Sequence, residues 1–510
     1  MTDFPDLTHR QRLIIFVGLM LGMLLAALDQ TIVATALPRI TGDLGGIEHL
    51  SWVISAYLLA STVAMPLYGK LGDLFGRKLL FQISVVVFLV GSVLAGLSQT
   101  MGQLIATRAL QGLGGGGLMV LAFAIIGETV PPRERGRYQG YFGAAFGVSS
   151  IAGPLIGGFI TDNLSWRWVF YVNIPFGIIA FAVIAAVIPK GERHEAPNID
   201  FLGAALMTAA TTMLVLVTTW GGNQHDWGSP VILGLSALTL VAAVAFVLVE
   251  LRTPEPIVPV RLFSNGAFRV STTVSFILGL AMFGSLGFLP LFLQVVTGAS
   301  ATNSGLAMFP MMGGVFIASI LSGNVISRTG RYKPFPVVGT AIGVVAFALL
   351  ATMDAATTKL SVSTYMFMLG FGIGMTMQVM VLSAQNAVPL SVMGAATGAV
   401  SFFREIGGAI GIAIFGAVFT SGLGDRLGTS GVTGEGLSIE RIRDLPFEQE
   451  TMVIHAIADS VAHIFVFAAP LMAVAAIITW TIRELPLREG ATAVEHPATV
   501  EVVPELETVV

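Results

Sequence analysis

Four ionisable side chains stand inside long apolar runs. Asp29 lies in a run near 13–36, Arg108 in one near 102–127, and Arg404 with Glu405 in one near 393–422. A carboxylate inside an apolar membrane helix costs at least about 2.5 kcal/mol on insertion scales and is usually functional. Asp29 lies about 24 Å along its run, and Arg108, entering from the opposite side, about 9 Å along its own, at 1.5 Å per residue. The two therefore reach similar depths and are expected to pair or exchange partners. Burial penalises the carboxylate's charge and a nearby guanidinium supports it. Moving Arg108, or admitting another cation, would then switch a proton on Asp29, which is what coupling a proton to a second cargo requires. A fixed structural ion pair is the alternative. The substitution Asp29→Asn separates them, because a structural role predicts misfolding and a coupling role predicts a folded, inactive protein.

Glu405 lies about 18 Å into its run, near the middle of a core of about 30 Å. Adjacent helical residues do not share a face, so Arg404 and Glu405 are not expected to meet one common partner. One faces a cavity and the other packs between helices, or the two belong to an interhelix pair that holds the structure together. His455, Asp459 and His463 recur at i, i+4 and i+8 as one stripe. A proton path or a metal site could use them, but the set is incomplete for tight metal binding, and a water-exposed helix end with only His463 deep is the competing account. Met311, Met312, Met375, Met377 and Met380 offer adaptable apolar walls for cargo. Gly112-Leu113-Gly114-Gly115-Gly116-Gly117 satisfies a dinucleotide pattern but lies inside an apolar run without a preceding strand, so close helix packing explains it better. No Walker A pattern is present.

The elements that position these residues are membrane helices. Of 510 residues, 55% are hydrophobic and only 11% charged, against roughly 25% charged in soluble domains, and the mean hydropathy is +0.84. The net charge of −4 suggests no nucleic-acid partner. The absence of cysteine excludes disulfides, thiol catalysis and Cys-held metals. Fourteen runs are long enough to span a bilayer, near 13–36, 50–70, 79–99, 102–127, 138–161, 167–189, 200–220, 230–251, 269–296, 304–327, 335–353, 360–386, 393–422 and 453–482. The first is too long for a signal-peptide core and reads as a retained helix. With the N-terminus inside, eighteen Lys and Arg fall in inner segments and six in outer ones, which places both termini in the cytoplasm. Residues 1–12 form a cytoplasmic N-terminus, 252–268 an interfacial connector, and 483–510 a disordered tail.

Two inner loops repeat. Gly69-Lys70-Leu71-Gly72-Asp73-Leu74-Phe75-Gly76-Arg77-Lys78 joins spans two and three, and Gly323 to Arg331 joins spans ten and eleven with the same Gly-to-Gly spacing and a following Arg. Spans seven and eight then read as an insertion between two six-helix halves, 13–189 and 269–482, with 190–251 holding the linker and the two added helices. Repeated halves are a transporter signature. Asp73 can accept from helix N-terminal amides or from Arg77, making a latch that forms and breaks as the halves rock.

The loop 69–78 resembles the Gly-x-Leu-x-Asp-x-x-Gly-Arg-Lys signature of the major facilitator superfamily. Fourteen spans make the chain similar to the drug:proton antiporter-2 family of EmrB/QacA-type exporters. Leu28-Asp29-Gln30-Thr31, Arg108-Ala109-Leu110-Gln111-Gly112, Gly153-Pro154-Leu155-Ile156-Gly157-Gly158, Trp166-Arg167-Trp168-Val169-Phe170 with Asn173, and Phe403-Arg404-Glu405-Ile406-Gly407-Gly408 resemble further motifs of that family. The second loop departs, with Ser327 in place of the acidic residue. The resemblance implies an all-α fold of two six-helix bundles plus two central helices. It implies proton-coupled efflux of lipophilic, often cationic, compounds by alternating access across the inner membrane. It makes Asp29, Arg108 and Glu405 the coupling or cation-attracting groups, Arg404 an ion-pair candidate, Gly69, Asp73, Gly76, Arg77 and Lys78 the gating loop, and Gly153, Pro154, Gly157 and Gly158 the antiporter motif. Pro154 and its glycines also suit a bend or close helix contact on their own chemistry. No enzyme activity, cofactor or metal is expected beyond the proton motive force, and the partners are small lipophilic substrates, protons and the bilayer, with the monomer as the working unit. A dedicated exporter of one endogenous metabolite, lipid or antibiotic is the alternative, followed by an uncoupled facilitator or a non-transporting sensor.

Overall fold

The computed structural model describes residues 8–45, 49–188, 199–222, 224–298, 307–427, 442 and 445–487. Lys190, Arg193, Arg441 and Arg443, four of the charges counted above, and the residues beyond 487 lie outside the described residues. The helices are α1 His9–Leu44, α2 Leu50–Phe75, α3 Arg77–Leu97, α4 Met101–Thr129, α5 Pro132–Asn163, α6 Trp168–Tyr171 and α7 Asn173–Val187 in the first half. Next come α8 Phe201–Trp220 and α9 Pro230–Glu250. The second half holds α10 Gly266–Leu286, α11 Leu289–Val295, α12 Phe309–Thr329, α13 Pro334–Leu350, α14 Lys359–Asn386, α15 Met393–Leu427 and α16 Phe447–Trp480. Among the described residues the only β pairing is an isolated bridge from Gly221 to His225.

Thirteen helical segments are long and apolar enough to cross a membrane. Each coincides with one expected run, the sixth being α6 with α7 and the ninth α10 with α11. The fourteenth, Pro334–Leu350, has 17 residues, about 26 Å of helix and the short end of what spans. The first helix starts from a capping box, with Thr8 Oγ1 accepting from Gln11 N (3.3 Å) and Gln11 Oε1 accepting from Thr8 N (2.9 Å).

The halves pack by the same rule. In the first, α1 lies on α5 and α7, α2 on α4, and α3 on α4 and α7. In the second, α10 lies on α15 and α16, α12 on α14, and α13 on α14 and α16. These are the same helix pairs shifted by eight spans. Across the halves α2 meets α15 and α5 meets α12, a pair of contacts that the same shift exchanges. Helices α8 and α9 pack on each other, and α8 touches α2 and α15. Their surfaces carry exposed Leu238, Leu240 and Val241, as lipid-covered helices should.

Glycine spacing explains how α4 reaches the centre. A Cβ on Gly112 or Gly116 would strike the backbone of α2 at Tyr57 or Ser61, and one on Gly114 would come 2.5 Å from Phe88 N on α3. The glycine run is therefore a packing surface between α2 and α3, not a nucleotide loop.

The start of the expected disordered tail is ordered. Glu484 Oε1 accepts from Tyr332 N (2.6 Å) and Lys333 N (3.1 Å), and Leu485 N donates to Tyr332 Oη (3.0 Å). Leu487 joins Ile482 and Tyr332 in a small buried cluster. Arg483–Leu487 thus seals the end of α16 against the loop before α13.

Candidate functional site

Asp29 sits at the centre of the first half with no solvent exposure. Its Oδ2 accepts from Arg108 Nη1 at 2.5 Å, and its Oδ1 accepts from Gln111 Nε2 at 2.8 Å and from Asn173 Nδ2 at 2.9 Å. Ser92 Oγ accepts from the same two amides, at 2.6 Å and 3.2 Å. Arg108 Nη1 also donates to Gln111 Oε1 (2.6 Å), its Nε donates to Val53 O (3.2 Å), and its guanidinium lies 4.4 Å from the Tyr57 ring centroid. Five spans thus converge on one carboxylate. Gln111 stands one turn after Arg108 on α4, so both face α1. A Cβ on Gly91 would lie 2.7 Å from Gln111 Cα, so glycine there lets α3 and α4 approach until Ser92 meets Gln111.

Every recorded neighbour of the Asp29 oxygens is a donor. Together they fill three of the carboxylate's roughly four lone-pair sites, and a proton added there would remove the charge that Arg108 pairs with. The sequence brings out Asp29 and Arg108 by charge. Gln111, Asn173 and Ser92 are missed as partners although the first two lie within quoted motifs. Their signal is an amide or hydroxyl inside an apolar run.

Residues 153–158 pack against α1 about one turn beyond Asp29. A Cβ on Gly153 or Gly157 of α5 would collide with the hydroxyl of Thr31 or Thr35 on α1, and Thr31 Oγ1 donates to Ser149 O (3.1 Å) and Leu28 O (2.9 Å). Gly158 has nothing within 4 Å of an added Cβ. Close approach therefore needs Gly153 and Gly157 but not Gly158, which corrects the expectation for that residue.

The loop 69–78 bridges the halves. Asp73 Oδ1 accepts from Gly394 N (3.0 Å) and Arg77 Nη2 (2.7 Å), and Oδ2 from Ala395 N (2.8 Å). The amides are those of the first turn of α15, where unpaired N–H groups and the helix dipole favour an anion. Arg77 also donates to Leu390 O (3.0 Å), Ala124 O (3.1 Å) and Glu128 Oε2 (3.0 Å). Lys78 Nζ donates to Ala185 O (2.8 Å) and to Ile188 O, closing the end of α7. Gly69 lies against the Gly394 carbonyl, and Gly76 takes φ +92 at the turn.

The second copy closes differently. Gly323 lies against the Gly136 backbone of α5, and Arg133 donates to Ser327 O (3.3 Å) and Arg328 O (3.1 Å). Here the residue at the place of Asp73, Ser327, offers its backbone carbonyl to the Arg133 guanidinium, so this contact uses no carboxylate. All these contacts lie at the end of the bundle that carries the described termini, where Gln139 Nε2 also donates to Gln385 Oε1 (2.8 Å). The halves are closed at that end.

Arg404 and Glu405 bond to each other, Nη2 to Oε1 at 3.2 Å and Nε to Oε1 at 3.4 Å. The long guanidinium bends round to its neighbour, so the pair lies within α15 and ties no two helices. Arg404 is buried while the Glu405 side chain keeps 16% exposure. The glycines after it seat α15 on α10: a Cβ on Gly407 or Gly411 would strike the Phe276 or Leu280 carbonyl. His455, Asp459 and His463 are all exposed along α16. Asp459 Oδ2 lies 3.9 Å from Arg426 Nε, and His463 packs edge-on to Phe467. Among the described residues no group of three or more His, Asp and Glu is arranged to hold a metal. Of the methionines, Met311 and Met380 are packed in helix interfaces and do not line a cargo wall here.

The sequence pattern of the Major Facilitator Superfamily matches residues 19–412. An uncharacterised MFS-type transporter of Mycobacterium tuberculosis is 45% identical over 491 residues, covering 95% of this chain and 71% of that one. The multidrug transporter protein MdtP of Bacillus subtilis is 40% identical over 418 residues, covering 82% of this chain and 77% of its own. The crystal structure of the human organic anion transporter MFSD10 aligns over 92% of this chain and 99% of its own, with a TM-score of 0.64 at 14% identity, a likeness of fold.

Proposed function

We propose, from the premise that this chain belongs to the Major Facilitator Superfamily and is a multi-pass membrane transporter rather than an enzyme, that it is a proton-coupled efflux antiporter for lipophilic, often cationic, compounds. The observation that carries the reading is the buried Asp29 carboxylate, held by Arg108, Gln111 and Asn173 in donors only. The name of the Bacillus relative, a multidrug transporter, supports drugs as cargo. The termini-bearing end is the cytoplasmic one, by the distribution of Lys and Arg. Cargo enters from the cytoplasm or inner leaflet while Asp29 is ionised. The halves then close at the Asp73 latch and open outward. An outside proton reaches Asp29, removes the charge that holds Arg108, and shifts Arg108 and the helices it anchors. The protonated protein returns inward and releases the proton. Glu405, partly exposed beside Arg404, attracts the cation.

The test is uptake of tetraphenylphosphonium and ethidium into proteoliposomes with an acid lumen. Uptake that needs the pH gradient and stops with a protonophore is expected. Uptake indifferent to the protonophore would replace antiport by facilitated diffusion. Silence toward the panel from folded protein would favour a dedicated exporter.

A further inference from the structure

We propose that a cavity between the connector and the end of α16 binds the phosphate headgroup of an anionic phospholipid, in the leaflet on the termini-bearing side. The cavity has a volume of about 530 Å³ and is lined by Ser264, Asn265, Arg269, Thr481, Arg483 and short apolar neighbours. Two arginines line it and no acidic residue does. The other polar side chains each commit a donor to a backbone carbonyl. Ser264 Oγ donates to Arg261 O (2.6 Å), Thr481 Oγ1 to Ile478 O (2.7 Å), and Asn265 Nδ2 to Ala387 O (3.0 Å). Asn265 Oδ1 accepts from Ala267 N (2.9 Å) and Phe268 N (3.3 Å), capping α10. Neither Arg269 nor Arg483 has a side-chain partner among the described residues. Two unpaired guanidiniums, each able to grip a phosphate with two parallel hydrogen bonds, are what an anion requires.

The source of the phosphate follows from position. Arg269 stands in the first turn of α10, and Arg483 three residues past the end of α16, so both lie at headgroup depth. An apolar strip leaves the cavity along α16. Thr481, Ile477, Val474 and Phe467 share one face at helical spacing, and the last three are 69%, 47% and 47% exposed. A charged pocket at the head of an exposed apolar strip fits a lipid and not a soluble phosphate. Exposed Trp480 beside it is the residue type that anchors at this depth.

The assignment rests on membrane embedding alone and is independent of proton coupling. The full-length protein is incubated with equal amounts of phosphatidylglycerol and phosphatidylcholine, and the lipids it retains are counted by native mass spectrometry. Wild type should retain the anionic lipid preferentially. Arg269→Gln and Arg483→Gln should each weaken that retention about fivefold, the value of one basic residue at an anionic surface, and leave phosphatidylcholine unchanged. Arg331→Gln, which removes the same charge from the same end but outside the cavity, should have no effect. If either single variant unfolds, the other decides. Equal retention by the variants and wild type overturns the site. Displacement of the lipid by millimolar inorganic phosphate alone overturns the lipid assignment in favour of a soluble phosphate ligand.

Discussion

Replacing Asp73 by Asn should unlatch the closed end of the transporter without changing side-chain size. The carboxylate receives two α15 amides and Arg77, and its side chain is 2% exposed. An asparagine can turn its oxygen to only part of this set, and its NH2 then faces a donor. Hydrogen bonds to a charged group are worth about 1.5–3 kcal/mol each, so loss of one or two, with the dipole contribution, amounts to about 2–4 kcal/mol. That is a factor of about 30 to several hundred in the closed-to-open ratio, enough to turn an open population of about one per cent into a quarter or more. The chain has no cysteine, so Leu79→Cys on α3 and Arg331→Cys in the second loop, both exposed, can carry spin labels in an otherwise native protein. Pulsed electron–electron resonance should show one short distance in wild type and a second, longer population in Asp73→Asn. An unchanged distance distribution, with the folded variant in the same lipid, would refute the latch.

Other outcomes follow from the same packing. Gly398→Leu places a side chain where a Cβ would already lie 2.8 Å from Met65 O and 2.9 Å from Pro66 Cα. It should hold α2 and α15 apart and abolish transport while expression persists, read by uptake and gel filtration. Gly157→Val should lower thermal stability and activity through its collision with Thr35, whereas Gly158→Ala, which meets nothing within 4 Å, should leave the melting temperature within a degree or two. Both polar atoms of Gln378 are buried without a partner among the described residues. Since an unmet polar group costs about 1–3 kcal/mol, Gln378→Met should raise the melting temperature and slow turnover by favouring the closed form.

Much of this was legible because membrane helices write their boundaries in composition. All fourteen runs have a helical counterpart, and the repeated loop located the two-fold relation that the packing pairs follow. Charge located Asp29 and Arg108, since an ion inside an apolar run is costly enough to stand out. Neutral polar residues are cheaper and less conspicuous, so Gln111, Asn173 and Ser92 were not singled out as partners. Depth along a helix placed Arg404 and Glu405 but gave no side-chain torsions, and so missed that they bond to each other. Asp73 was expected to meet helix amides or Arg77. That it meets both, and that the amides belong to α15, depends on how the halves close, which no local pattern encodes. Gly158 shows the opposite limit, because a motif glycine carries no mark of whether its Cβ would find a neighbour.

The most direct measurement of the central claim is proton release on cargo binding. Purified wild type and Asp29→Asn, in weakly buffered detergent solution with a pH-reporting dye, receive a saturating lipophilic cation. The account predicts protons released by wild type and none by a folded Asp29→Asn that still binds the cation. Equal release from both proteins, or binding by wild type with no proton released, would contradict coupling through Asp29.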